Sequence, residues 1–162
     1  GRIWCTVGSH ARFHYRNDPD ATRRAWRPPH PDAEIDDPHG AFTVGDLGRV
    51  DDDGYLFIDG RRDDLIITGG VNVYPAEVEA VLADVPGVVE VAVFGREDER
   101  WGQRICAAFT GPASPEEVAR HAVGHLAAYK RPKELTRIDE LPRTATGKVK
   151  RLDLPGLIRP GT

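Results

Sequence analysis

The stretch Leu65-Ile66-Ile67-Thr68-Gly69-Gly70-Val71-Asn72-Val73-Tyr74-Pro75-Ala76-Glu77-Val78-Glu79 decides how the second part of this chain folds. Its first four residues are apolar or β-branched and make a brief strand that runs into two glycines. Paired glycines permit positive φ, or the close approach of a ligand to bare backbone. Pro75 opens a helix, since a proline at the first helical position forfeits no hydrogen bond. Val78, Val81, Leu82 and Val85 recur at i, i+3, i+4 and i+7 and form one apolar face, and Pro86-Gly87 ends it. The segment lacks the Gly-x-x-x-x-Gly-Lys order of a phosphate loop. A bulged hairpin beside a helix and a ligand-bordering loop both remain open readings of the two glycines.

Working outward, residues 88–94 and 104–109 are strands rich in β-branched and small apolar residues, with a charged loop expected over 95–103. Ser114-Pro115-Glu116-Glu117 is a capping box that opens a helix to about residue 128. Residues 135–141 form a last strand, and the tail 142–162 is basic, then rich in Pro and Gly. The order from residue 65 is β-α-β-β-α-β, a small α+β domain. Upstream, a short strand over 2–7, a helical turn over 20–26 and a proline-rich loop over 28–40 precede a hairpin. In that hairpin Asp51-Asp52-Asp53-Gly54 is the turn between strands at 46–50 and 55–58.

The chain has 162 residues, 26 acidic and 22 basic, for a net charge of −4, so it fits one ordinary domain or two small ones. That balance argues against a dedicated nucleic-acid binder, which is strongly basic. No apolar run approaches the ~18 residues of a transmembrane segment. Cys5 and Cys106 fit neither a disulfide framework nor a zinc spacing, and free thiols imply a reducing, cytoplasmic setting. Methionine is absent and the chain opens on Gly1-Arg2-Ile3-Trp4, so a piece of a larger protein is expected. Charge is uneven: residues 46–64 hold seven acidic and three basic side chains, and residues 129–151 hold eight basic and three acidic. The basic tail is either self-complementary surface or a segment that closes over an anion.

Four places carry candidate chemistry. Gly45-Asp46-Leu47-Gly48 sets a carboxylate between glycines, where it either bonds its own turn or accepts two hydrogen bonds from a ribose diol. Asp59-Gly60-Arg61-Arg62-Asp63-Asp64 is either a solvated connector or a hinge whose arginine meets a phosphate or ribose. In Pro142-Arg143-Thr144-Ala145-Thr146-Gly147-Lys148, Lys148 follows a flexible small-residue loop, as an exposed basic tail or as a mobile charge that stabilises developing anions. His121 and His125 stand at i, i+4 without a following acid or cysteine and read as helix surface or partial core rather than metal ligands.

In order, Gly-Asp-Leu-Gly, Gly-Arg-x-Asp-Asp-x-Ile-x-x-Gly-Gly-x-Asn-Val-x-Pro-x-Glu-Val-Glu, Leu-x-x-Tyr-Lys-x-Pro and Pro-Arg-Thr-x-Thr-Gly-Lys resemble the adenylate-forming (AMP-binding) superfamily, and within it bacterial acyl-CoA synthetases or fatty-acid–CoA ligases. The resemblance covers residue 1 to about 152, the last third or so of such an enzyme. It implies residues 1–62 as the β-rich end of the large N-terminal domain. Residues 63–162 become a mobile C-terminal lid, an α+β domain with about three sheet strands, packed helices and a β-hairpin. It implies a ligase that joins a small-molecule carboxylic acid to ATP, releases pyrophosphate and passes the acyl group to the thiol of coenzyme A. Asp46 then matches the ribose acceptor, Arg61 the nucleotide contact, Asp63 the hinge, Lys148 the adenylation lysine, and Gly69 and Gly70 the border of the pantetheine tunnel. Mg2+ would be held mainly by the large domain, which also carries the acyl pocket, so these residues alone are expected to be inactive. A lysine acetyltransferase acting on Lys148 would switch off its charge. A stand-alone, non-catalytic lid and the lid of a peptide-synthetase adenylation domain are the competing expectations.

Overall fold

The computed structural model describes residues 1–6, 13–28 and 40–158. Two compact units divide the chain, Gly1–Asp63 and Asp64–Thr162.

In the first unit, Asp18 caps helix α1 (Pro19–Ala25) by accepting from the Ala21 amide at 2.8 Å, and Pro19 starts it. Strands β1 (Cys5–Thr6), β2 (Trp26–Arg27) and β3 (Ala41–Phe42) make an antiparallel sheet with β3 central. The expected strand over 2–7 is thus shorter: Arg2 makes only an isolated bridge to Leu47, and Val7 lies outside the described residues. Most of the proline-rich loop, residues 29–39, also lies outside them. Rings of Phe13, Trp26 and Phe42 meet at centroid distances of 5.2 to 5.7 Å and fill the small space beside the sheet. The expected hairpin is β4 (Asp46–Val50) and β5 (Leu56–Arg61). Its turn is set by Asp51, whose Oδ1 accepts from the amides of Asp53 and Tyr55. A bulge follows Leu47, and Gly48 is needed there because a Cβ would overlap the Phe57 carbonyl oxygen.

The second unit is built on β8 (Glu90–Asp98) and β9 (Gly102–Thr110), paired antiparallel along their whole length. Strand β10 (Glu134–Arg137) runs parallel to β9. A hairpin of β6 (Ile66–Thr68) and β7 (Val71–Val73) joins this sheet through one pair, Thr68 opposite Gly102. Three sheet strands plus a hairpin match the expected α+β domain. The order gains β7 and becomes β-β-α-β-β-α-β, because three residues after a two-glycine turn suffice to pair with β6.

Helices α2 (Pro75–Ala83) and α3 (Pro115–His125) cover one face of the sheet. Alternation in β8 and β9 sorts the side chains: Val93, Ile105, Ala107 and Phe109 enter the helix-covered core. Ala92, Phe94, Cys106 and Ala108 enter a second core on the other face. Leu141, Leu154 and Ile158 close that second core, with Leu154 on the short helix α4 (Leu154–Leu157). The tail expected only to be basic and Pro/Gly-rich is therefore also a hydrophobic cover.

The charged loop expected over 95–103 is mostly strand. Asp98 accepts from the amides of Arg100 and Trp101 at 3.0 Å each and closes a tight turn, and Gly102 takes φ 75°. Arg96 and Arg104, cross-strand partners, avoid repulsion by sharing Glu134 of β10 at 2.7 and 2.9 Å. Helix α3 carries the expected capping box, Ser114 with Glu117, and it ends at His125 rather than 128. There Arg131 donates to the carbonyls of Leu126 and Val123, satisfying the open C-terminal turn. The last strand ends at Arg137 rather than 141, and Leu141 turns into the second core.

Candidate functional site

Asp46 and Arg61 are register partners on β4 and β5, and the guanidinium Nε lies 3.3 Å from the carboxylate Oδ1. Two residues singled out in separate motifs are thereby brought together. Their side chains keep 28% and 56% of their exposure, so the pair is open to a ligand and adds little stability. The turn before Asp46 is bonded by Thr43 instead, whose hydroxyl accepts from the Gly45 amide at 3.1 Å. Asp63 ends the first unit and lines a shallow cleft of about 360 Å³ with Thr43, Gly45 and Arg62.

Gly69 and Gly70 form the two-residue turn of the β6–β7 hairpin, with φ of 57° and 80°. Both central residues at positive φ define the hairpin turn that glycine favours, so local geometry alone requires them. Gly69 has a second constraint. Its amide donates to the Trp101 carbonyl at 2.9 Å, and a Cβ there would lie 3.0 Å from the indole ring. That contact forms one wall of a cavity of about 330 Å³ lined by Thr68, Gly69, Val71, Trp101, Arg104, Ile105, Ala128, Tyr129, Arg131 and Lys133. Arg100 sits 4.9 Å over the Trp101 ring and Lys130 lies 5.7 Å from the Tyr129 ring. Two half-exposed aromatic rings among cations suit an aromatic base carrying phosphate. Trp101, Arg131 and Lys133 are functional candidates that sequence reasoning missed. For the two cations the signal present was a tyrosine followed by three basic residues in Tyr129-Lys130-Arg131-Pro132-Lys133, and that stretch does not reach Trp101.

Lys148 lies outside that cavity, on a small hairpin of its own. Thr144 donates to the Lys148 carbonyl at 2.8 Å, Gly147 to the Thr144 carbonyl at 2.9 Å, and Lys150 to the Pro142 carbonyl at 2.7 Å. Arg143 bridges to Val149, donates to the Gly147 carbonyl at 2.6 Å and pairs with Glu90 of β8. The residues expected as a flexible loop are thus a closed, braced turn. It presents the exposed Lys148 ammonium, which has no partner among the described residues. Asp46 and Lys148 belong to different units.

The remaining titratable features are structural. Burial pushes the Cys106 thiol up to about 11, with the Glu134 charge adding to it. The hydrogen bond that the Lys130 ammonium donates to the Glu77 carboxylate raises its pKa above the ordinary value. His121 and His125 stack at 4.0 Å on the exposed side of α3, and among the described residues no three His, Cys, Asp or Glu converge on a metal position.

The sequence profile of the AMP-binding enzyme C-terminal domain matches residues 77–148. The chain is 46% identical over 123 residues to an indoleacetate–CoA ligase of Aromatoleum aromaticum, covering 74% of this chain and 24% of that protein. It is 43% identical over 138 residues to a long-chain-fatty-acid–CoA ligase of Mycobacterium tuberculosis, covering 83% of this chain and 25% of that protein. An o-succinylbenzoate CoA synthetase of Bacillus subtilis, solved with its acyl-adenylate intermediate, superposes with a TM-score of 0.68 at 43% identity. The match covers 72% of this chain and 24% of the synthetase. The chain thus spans about a quarter of the length of the relatives it matches. It belongs to the adenylate-forming, AMP-binding enzymes, and residues 77–148 are their C-terminal domain.

Proposed function

We propose that this chain supplies the C-terminal part of an ATP-dependent acyl-CoA synthetase. In the first half-reaction a carboxylate oxygen attacks the α-phosphorus of ATP, the bond to the pyrophosphate oxygen breaks, and an acyl-adenylate forms. In the second, the thiol of coenzyme A attacks the acyl carbon, loses its proton and expels AMP. The observation that carries this reading is the separation of Lys148 from the Gly69–Trp101 cavity within one compact unit. The two steps make opposite demands, since the first needs a cation at the phosphate and the second needs an open path for a thiol.

In this reading Lys148 places its ammonium on the oxygens between the reacting carboxylate and the α-phosphate, where negative charge grows. Asp46 accepts from the ribose hydroxyls, and Arg61, already beside it, both orients that carboxylate and meets the nucleotide. Asp63 is the hinge, a role supported by its place at the end of the first unit. The bare backbone of Gly69 and Gly70 borders the pantetheine arm. The adjoining aromatic and cationic cavity takes the nucleotide end of coenzyme A, with Arg131 and Lys133 on its phosphates. Mg2+ is assigned to the phosphates of ATP and to the large N-terminal domain, which is also the partner that holds the acyl chain. Acetylation of the exposed Lys148 would remove the charge on which the first step depends.

The test is a hybrid in which this chain replaces the matching stretch of the Bacillus subtilis synthetase, supplied with ATP, o-succinylbenzoate and coenzyme A. Both pyrophosphate release and thioester formation are expected, and the 162-residue chain alone is expected to give neither. A folded hybrid without either half-reaction, or pyrophosphate release by the chain alone, would contradict the reading.

A further inference from the structure

Arg151 stands three residues beyond Lys148, and neither half-reaction described above uses it. Its guanidinium spans two carboxylates: Nη1 donates to Asp64 Oδ2 at 2.8 Å and Nη2 to Glu79 Oε1 at 2.7 Å. All three side chains are partly buried, keeping 20–27% of their exposure, and Arg151 Nε is buried with no partner among the described residues, so these two bonds fix the fork. Asp64 is the first residue of the second unit and the last of a 3-10 turn, Arg62–Asp64, that also contains Asp63. Glu79 lies on α2, and its same oxygen accepts from the Val93 amide of β8 at 2.8 Å. One side chain therefore ties the tail to residues 87 and 72 positions away.

The arrangement has a mechanical meaning. The Lys148 hairpin has two legs. Arg143 braces the first against Glu90, and Arg151 braces the second against Asp64 and Glu79. The second core already anchors the tail at Leu154 and Ile158, so Arg151 is not needed merely to keep the tail attached. What it adds is orientation, because a planar fork on two fixed carboxylates permits one placement where a lysine would permit many.

We propose that Arg151 is a positioning residue for Lys148. By joining the lysine hairpin to Asp64, it makes the residue that follows the hinge and the ammonium one rigid piece. Rotation at Asp63 then delivers Lys148 to a single place at the phosphate. The inference rests on the proposed role of Lys148 in the first half-reaction.

The hybrid synthetase described above tests it with Arg151→Ala, Arg151→Lys and Asp64→Asn, each alone and in a Lys148→Ala background. Arg151→Ala is expected to slow pyrophosphate release about 10²-fold, as for an ångström-scale misplacement, with the KM for ATP little changed. Thioester formation from supplied acyl-adenylate should be spared. Arg151→Lys and Asp64→Asn should fall between wild type and Arg151→Ala, which keeps the test informative if the alanine variant folds poorly. In the Lys148→Ala enzyme, Arg151→Ala should add almost nothing, since it acts through a group already gone. Unchanged pyrophosphate release, equal loss of both half-reactions, or a full further loss without Lys148 would each overturn the positioning role. If Lys148→Ala itself leaves pyrophosphate release intact, the reading of Lys148 fails first and the positioning role with it.

Discussion

The two units of this chain solve the problem of burial differently. Asp64–Thr162 closes both faces of its sheet, one with α2 and α3 and the other with the tail residues Leu141, Leu154 and Ile158. In Gly1–Asp63, Ala25 and Ala41 are the only buried hydrophobic residues among those described. Along β5 and the turn before it, Tyr55, Leu56, Phe57 and Ile58 keep 69%, 54%, 43% and 65% of their exposure. Successive side chains of a strand alternate between its faces, so the hairpin shows apolar groups on both. The difference teaches that apolar burial is concentrated in the second unit, whereas the described residues of the first bury little. Loose and tight regions also divide the proposed labour: Asp46 and Arg61 sit on the open hairpin, and Lys148 and Gly69 are carried by the rigid body.

The sharpest way to break this comparison is to truncate an apolar side chain in each unit. Leu82→Ala, at a fully buried position on α2, should cost about 2–5 kcal/mol in urea unfolding followed by circular dichroism. Leu56→Ala on β5 should stay within about 0.5 kcal/mol. Similar losses at both places would mean that the first unit has a core of its own.

The two cysteines sharpen the contrast next. Cys5 is exposed and Cys106 buried, so a thiol reagent at neutral pH should label one site per chain, with the second appearing only on unfolding. Cys106 titrates at about 11 in the folded chain against 9.0 ordinarily. Because the folded value is raised, this contribution to stability is complete below pH 9.0 and is lost as pH rises toward about 11. The loss should be on the order of 2 kcal/mol, and Cys106→Ala should flatten that part of the pH–stability profile.

A smaller effect is expected at the start of α3. Ser114→Ala removes the cap of a helix on the rigid unit and should cost about 1 kcal/mol by urea unfolding. The Ser114 amide also holds the Glu117 carboxyl below its ordinary value. That contribution is therefore present above the ordinary carboxylate range and fades as pH falls through the depressed value.

Much of the rigid unit was legible in the sequence because its signals are local. The Val78, Val81, Leu82, Val85 stripe, the Ser114 box and the alternation in 88–94 and 104–109 each act within a few residues. The β4–β5 hairpin was legible from Asp51-Asp52-Asp53-Gly54 for the same reason. What escaped depends on distant partners. Arg96 reads as a loop charge, and Arg104 as the first residue of a strand, until Glu134, on a strand that follows α3, pairs with both. Leu154 and Ile158 read as part of a Pro/Gly-rich tail until the opposite face of the sheet appears to receive them. In the candidate site, Asp46 and Arg61 were singled out separately, and only strand register pairs them. Trp101 was hidden because its meaning comes from Gly69, contacted across the tip of a different hairpin.

The most direct measurement compares Lys148→Ala with Trp101→Ala in the hybrid synthetase, following each half-reaction separately. The predicted result is a crossed loss. Lys148→Ala should slow pyrophosphate release about 10²–10³-fold while sparing thioester formation from supplied acyl-adenylate. Trp101→Ala should raise the KM for coenzyme A and leave pyrophosphate release unchanged. Equal loss of both half-reactions by either variant would contradict the claim that this rigid unit serves the two steps with two separate sites.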